Sequence, residues 1–181
     1  TVNIFLEDNV PDNLSFFEDI CRYNFISLFV NDVTEVINPD VVVILDTPKP
    51  DMIASNDDID VFLKDKTLPK VEIDHHFAAD ADYSGDEDYR LTLRASSTCE
   101  IIGQMCLKLE KRPEILKKYG IHELYSRNIV LAMLTGMIGD AKMGNYLFKQ
   151  RDKAFYNYFS KKFNSILHEK FNEGSQNISS V

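Results

Sequence analysis

Residues 41–45, Val-Val-Val-Ile-Leu, constrain the fold more than any other segment of the chain. Four β-branched residues followed by a leucine favour a strand, because branched Cβ atoms lose χ1 freedom on a helix and pack well on a pleated surface. The run has no polar alternation, so it does not suit a sheet with one face in water. It predicts a strand at the centre of a parallel sheet, covered on both faces. Asp46-Thr47-Pro48 then ends it.

The rest of the chain alternates around this strand. Residues 2–6, 25–30 and 70–73 read as further strands, the last ending in Asp74-His75-His76. Residues 13–23 carry Leu14, Phe17, Ile20 and Cys21 at helical spacing, and 57–64 form a short helix candidate. Residues 78–90 are acidic and irregular, with Gly85 as a breaker. Ser97 and Glu100 form an S-x-x-E capping box at the start of a helix with an apolar face of Ile101, Ile102, Met105 and Leu109. Pro113 marks a break, and a long helix is expected over 122–138, followed by a loop over 139–145 with two glycines. Residues 150–171 form an amphipathic helix with aromatics at 155, 156, 158, 159 and 163; that stripe reads as core or interface packing, which leaves a homodimer open. Alternation of strands and helices implies an α/β fold with a mainly parallel sheet flanked by helices. Residues 1–173 are read as one domain and 174–181 as a polar, disordered tail.

A length of 181 residues is enough for one domain with a real core. The net charge is −9 and the pI about 4.9. A protein that grips long nucleic acid needs a basic stripe, since phosphate contacts dominate its affinity. None is visible, so long nucleic acid is not an expected partner. The acid excess fits a solvated surface, or a small substrate whose charge is met by metal ions. No apolar run approaches the ~20 residues of a membrane span, and no signal-peptide pattern is visible. Cys21, Cys99 and Cys106 form neither a disulfide framework nor a CxxC pair. They read as reduced core thiols of a cytoplasmic protein.

Ligands of open parallel sheets bind beyond the carboxyl ends of the strands. Asp46 and the His75-His76 pair fall at two such ends, and Asp140 follows the long helix. Mixed imidazole and carboxylate donors suit Mn²⁺, Fe²⁺, Co²⁺ or Zn²⁺. A bridging carboxylate can hold two ions ~3.5–4 Å apart, a geometry that clamps both oxygens of an in-line phosphoryl displacement and supplies hydroxide near neutral pH.

Four segments resemble the DHH phosphoesterase family in order and in element type. Val71-Glu72-Ile73-Asp74-His75-His76 is similar to its third motif, Val43-Ile44-Leu45-Asp46-Thr47 to its second, and Thr135-Gly136-Met137-Ile138-Gly139-Asp140 to its fourth. Ala95-Ser96-Ser97-Thr98-Cys99-Glu100 resembles the helix start of the nanoRNase and bacterial phosphatase branch. The resemblance covers roughly residues 2–170. It implies a metal-dependent hydrolase of phosphodiester, phosphomonoester or phosphoanhydride bonds in small nucleotides or short oligonucleotides, working with two Mn²⁺ ions. It assigns Asp46 to bridge the metals, His75 to one metal and Asp140 to the other. His76 faces the substrate phosphate, and Asp74 orients the histidines. Ser96, Ser97 and Arg94 are candidates for substrate binding; capping explains Ser97 equally well. The alternatives are a manganese pyrophosphatase or exopolyphosphatase, or a non-catalytic module that binds metal or nucleotide.

The sequence departs from the family in two places. The first motif, His-x-x-x-Asp-x-Asp, is not found: Asn38-Pro39-Asp40 runs straight into the strand, while Asp80 and Asp82 follow Asp-His-His and read as a solvated loop. The motif is expected upstream of Thr1, in a domain that is N-terminally incomplete here. The family's glycine-rich C-terminal substrate domain is not found either. The chain alone is therefore expected to turn over bis-p-nitrophenyl phosphate weakly or not at all. After Asp140 the family's Asp-Thr-Gly-x-Phe is replaced by Asp140-Ala141-Lys142-Met143-Gly144-Asn145-Tyr146, as though two residues were inserted. Arg90 flanks the acidic loop and reads as its ion-pair partner or as a phosphate contact. Lys142 and His168 read as solvent-facing, and His122 as a residue of a helix's first turn.

Overall fold

A computed structural model describes residues 1–30, 38–53, 57–76, 82–142 and 150–178. The chain divides into two compact units, Thr1–Arg94 and Ala95–Val181.

The first unit is built from parallel strands. β1 (Val2–Leu6) pairs with β2 (Ile26–Val30), and α1 (Phe16–Tyr23) makes the crossover that parallel pairing requires. The register sets Phe5 beside Phe29, and their rings stack at 5.3 Å. A second sheet has the order β3-β4-β5, from β3 (Val42–Leu45), β4 (Lys70–Asp74) and β5 (Arg90–Thr92), again all parallel. α2 (Asp57–Lys64) lies between β3 and β4 in the chain. The expected mixed α/β architecture with parallel sheets flanked by helices is therefore present.

The expected centre of the sheet is displaced by one strand. Among the described residues β3 is an edge strand, with Ile44 buried but Val43 and Leu45 about half exposed (51% and 47%). The centre is β4, and one face of it is charged. Lys70, Glu72 and Asp74 follow at the two-residue strand period, and all three are buried. Hydropathy ranks such a strand below β3, because a charged residue reads as exposed unless its partners are known.

The second unit is helical: α3 (Thr98–Glu110), α4 (Pro113–Lys118), α5 (Arg127–Asp140) and α6 (Gln150–Ile178). Ser97 caps α3 by accepting from Glu100 N at 3.1 Å, as the capping-box spacing predicts. The Glu100 carboxylate, however, reaches Ser96 instead of closing the box on Ser97. Pro113 opens α4, where its missing N–H is not needed. Cys106, Tyr125, Val130, Met133, Leu134 and Phe159 form the core, with Phe155, Tyr156 and Phe163 of the aromatic stripe packed against it. Gly103 admits the Phe159 ring at 2.8 Å from where a Cβ would sit. α6 continues to Ile178, past Gly174, where the polar composition predicts a disordered tail; one interior glycine costs about 1 kcal/mol against alanine and need not end a helix. Cys21, Cys99 and Cys106 are not joined in disulfides. Among the described residues no helix is long and apolar enough to cross a membrane.

Candidate metal centre

The β3–β4 ladder creates the site. It pairs Leu45 with Ile73, so the next residues, Asp46 and Asp74, leave adjacent strands at the same carboxyl end. Asp46 N donates to Ile73 O at 3.1 Å, which extends the ladder by one bond. The chain then turns sharply: Asp46 has φ +56°, a left-handed conformation that aspartate tolerates better than most residues. Non-glycine residues held in such conformations cluster at functional sites.

His75 Nε2 lies 3.3 Å from Asp46 Oδ1. His76 engages Asp74 instead: both its backbone N and its Nδ1 lie within bonding distance of Asp74 Oδ1, at 2.9 and 2.7 Å. A carboxylate can only accept, so this contact places a proton on Nδ1 and leaves Nε2 as the ring atom that can meet a ligand. The two imidazoles lie 4.2 Å apart between centroids. Asp46, Asp74, His75 and His76 each offer one ligand atom, and these atoms all lie within 4.8 Å of one another. This cluster could hold a metal ion. The state of Asp74 fits that chemistry. It is fully buried, and while Oδ1 serves His76, Oδ2 has no hydrogen-bond partner. A buried carboxylate oxygen without a donor is costly unless a cation or water meets it.

Asp140, Ser96 and Ser97 belong to the second unit. Asp140 is the last residue of α5 and is exposed. Ser96 and Ser97 both serve Glu100, Ser96 by donating to its carboxylate at 2.8 Å and Ser97 as the helix cap. Arg94 follows β5 and is exposed. Arg90 points inward: it donates to Gly85 O at 2.7 Å and lies 3.6 Å from Glu72 Oε2. Asp82 donates its backbone N–H to Pro48 O at 2.7 Å. Asp80 and the Gly144-Asn145-Tyr146 segment lie outside the described residues.

Sequence reasoning missed the layer behind the cluster: Glu72, Gly85, Arg90 and Tyr83. One signal was available, since Lys70, Glu72 and Asp74 alternate with Val71 and Ile73 in a strand-forming run. No family model matches the chain, and no curated protein matches it.

Proposed function

We propose that the chain is part of a metal-dependent phosphoesterase of the DHH type, acting on phosphodiester, phosphomonoester or phosphoanhydride bonds of small nucleotides or short oligonucleotides, with little or no turnover by the 181 residues alone. The observation that carries this reading is the convergence of Asp46, Asp74, His75 and His76, with ligand atoms within 4.8 Å of one another, at adjacent parallel strand ends. Two carboxylates and two imidazoles suit Mn²⁺ and its neighbours, and such an ion supplies charge to stabilise a phosphoryl oxygen. Asp46 and His75 bind. Asp74 fixes the ring of His76, which presents Nε2 to ion or phosphate. Asp140 enters from the family resemblance, as the ligand of a second ion. Cysteines outside disulfides suit a reducing, cytoplasmic setting.

A second reading has its own observation. Four donors within 4.8 Å are enough for one four-coordinate ion, which fits a non-catalytic metal-binding module. Titration calorimetry with Mn²⁺, together with turnover of bis-p-nitrophenyl phosphate and a short oligoribonucleotide, separates the two. Turnover that needs Mn²⁺ and is lost in His75→Ala supports the enzyme. Mn²⁺ binding at one ion per chain, with no turnover either by this chain or by a longer chain that supplies a His-x-x-x-Asp-x-Asp segment, supports the module. An absence of binding removes both.

A further inference from the structure

We propose that Tyr83 and Arg90 are positioning residues, which hold His76 and the adjacent strand ends through a strap formed by residues 82–86. The strap runs back along β4 and bonds to it repeatedly. Asp82 N donates to Pro48 O at 2.7 Å, two residues beyond Asp46. Tyr83 Oη donates to His76 O at 3.2 Å. Gly85 N donates to the buried Glu72 Oε2 at 2.6 Å, and Asp86 exchanges two bonds with the Lys70 backbone, both at 2.9 Å. The strap is thus tied at both strand ends that carry the cluster, and it meets β4 at Lys70 and Glu72.

Arg90 locks the strap from the neighbouring strand. The β4–β5 register places it opposite Glu72. Its guanidinium donates to Gly85 O at 2.7 Å and lies 4.5 Å from the centroid of the Tyr83 ring. One rigid planar group therefore fixes the backbone of the strap and the ring whose hydroxyl reaches His76. Gly85 makes the close approach possible, because a Cβ there would collide with Glu72 Cβ and come within 2.9 Å of its Oε2. Groups that orient metal-site residues from behind commonly change affinity or activity about 10–100-fold when removed.

The catalytic consequence rests on the phosphoesterase reading; the positioning itself does not. The test uses Tyr83→Phe, Arg90→Lys and the double variant in the full chain. Tyr83→Phe keeps the ring over Arg90 and removes only the hydroxyl. The first readout is the His76 ring ¹⁵N shifts of labelled, metal-free protein, which report the Nδ1–H tautomer that the contact with Asp74 Oδ1 favours. The second is Mn²⁺ affinity by calorimetry. Each single variant is expected to move those shifts toward a mixture of tautomers and to weaken Mn²⁺ binding about tenfold. The double variant should lose less than the product of the two, because both act along one route. Unchanged His76 shifts with unchanged Mn²⁺ affinity overturn the proposal, whatever happens to thermal stability. If the parent chain binds Mn²⁺ but hydrolyses nothing, these two readouts still decide the positioning role, independently of the enzyme reading. If it binds no Mn²⁺, the shifts decide alone.

Discussion

His75 Nε2 and Asp46 Oδ1 meet 3.3 Å apart across the ends of two hydrogen-bonded strands, with Asp46 in a left-handed backbone conformation. That conformation costs an L-residue about 1–2 kcal/mol, less for aspartate, and glycine adopts it freely. Asp46→Gly is therefore expected to leave the metal-free protein as stable or up to about 1 kcal/mol more stable, equivalent to roughly 2–4 °C in Tm for a chain of this size. The same variant should lose the rise in Tm that Mn²⁺ gives the parent protein. Differential scanning fluorimetry with and without Mn²⁺ measures both. A metal-dependent rise that survives in Asp46→Gly would remove Asp46 from the site.

Asp74 is a different case, since it is buried and serves both the backbone N and the Nδ1 of His76 through one oxygen. Asp74→Asn keeps its shape but removes the charge and replaces one carboxylate oxygen by a donor. Mn²⁺ affinity should fall about 10–100-fold. The His76 ring should also lose its fixed Nδ1–H tautomer, visible in its ¹⁵N shifts. If the Asp74→Asn variant binds Mn²⁺ as the parent does, Asp74 is only structural.

The strand ends were legible in the sequence because their signals are local. Residues 41–45 declare a strand by composition, and Asp46 and His75 follow strand-forming runs directly. The rank of the strands was not legible. β3 looks more buried than β4, yet β4 is central, with Lys70 Nζ met by Leu68 O, one Glu72 oxygen by Gly85 N with Arg90 beside it, and one Asp74 oxygen by His76. The alternation of Lys70, Glu72 and Asp74 marks a strand but not its burial, because the ties of Glu72 to Gly85 and Arg90 come from residues distant in the chain and are a property of the fold. Arg90 illustrates the point. Beside an acidic loop its charge suits a phosphate or a neighbouring carboxylate equally, and only the β4–β5 register turns it toward Glu72. In the second unit the capping signal at Ser97 was correct for the cap, whereas the buried Glu100 also takes Arg151 at 2.9 Å, from a helix that begins fifty residues later.

The charged face of β4 also makes a stability prediction. Gly85 stands over Glu72 with no room for a methyl group, and Glu72 is buried with its Oε2 accepting from Gly85 N. Gly85→Ala should therefore destabilise the protein by about 1–3 kcal/mol, the usual range for forcing atoms into a filled space. Urea unfolding followed by circular dichroism measures it. A loss under about 0.5 kcal/mol would mean that the strap can lift away from β4 at little cost.

The second unit contains a titrating tie between helices. Glu110 at the end of α3 takes Lys162 of α6 at 3.0 Å and accepts from Tyr158 and Tyr125 at 3.2 and 3.4 Å, while Lys162 Nζ sits 3.7 Å from the Tyr125 ring centroid. Partial burial pushes the Glu110 carboxyl up, but the Lys162 charge and hydrogen bond, with the two tyrosine hydroxyls, outweigh it and hold the group below its ordinary value. A carboxyl lowered by folding stabilises the native state above its unfolded pKa, about 4.3 for glutamate, and that stability is lost as pH falls through the lower, folded value. The Glu110 side chain is 43% exposed, so solvent screens the pair and the effect should stay below about 1 kcal/mol. Glu110→Gln is expected to lower stability slightly at pH 7 and to approach the parent as pH falls through the lowered, folded value and the carboxyl becomes protonated in both folded and unfolded chains. Urea midpoints taken every half unit between pH 7 and pH 3 give the comparison. If the difference between parent and Glu110→Gln does not shrink on acidification, the carboxylate charge is not what ties α3 to α6.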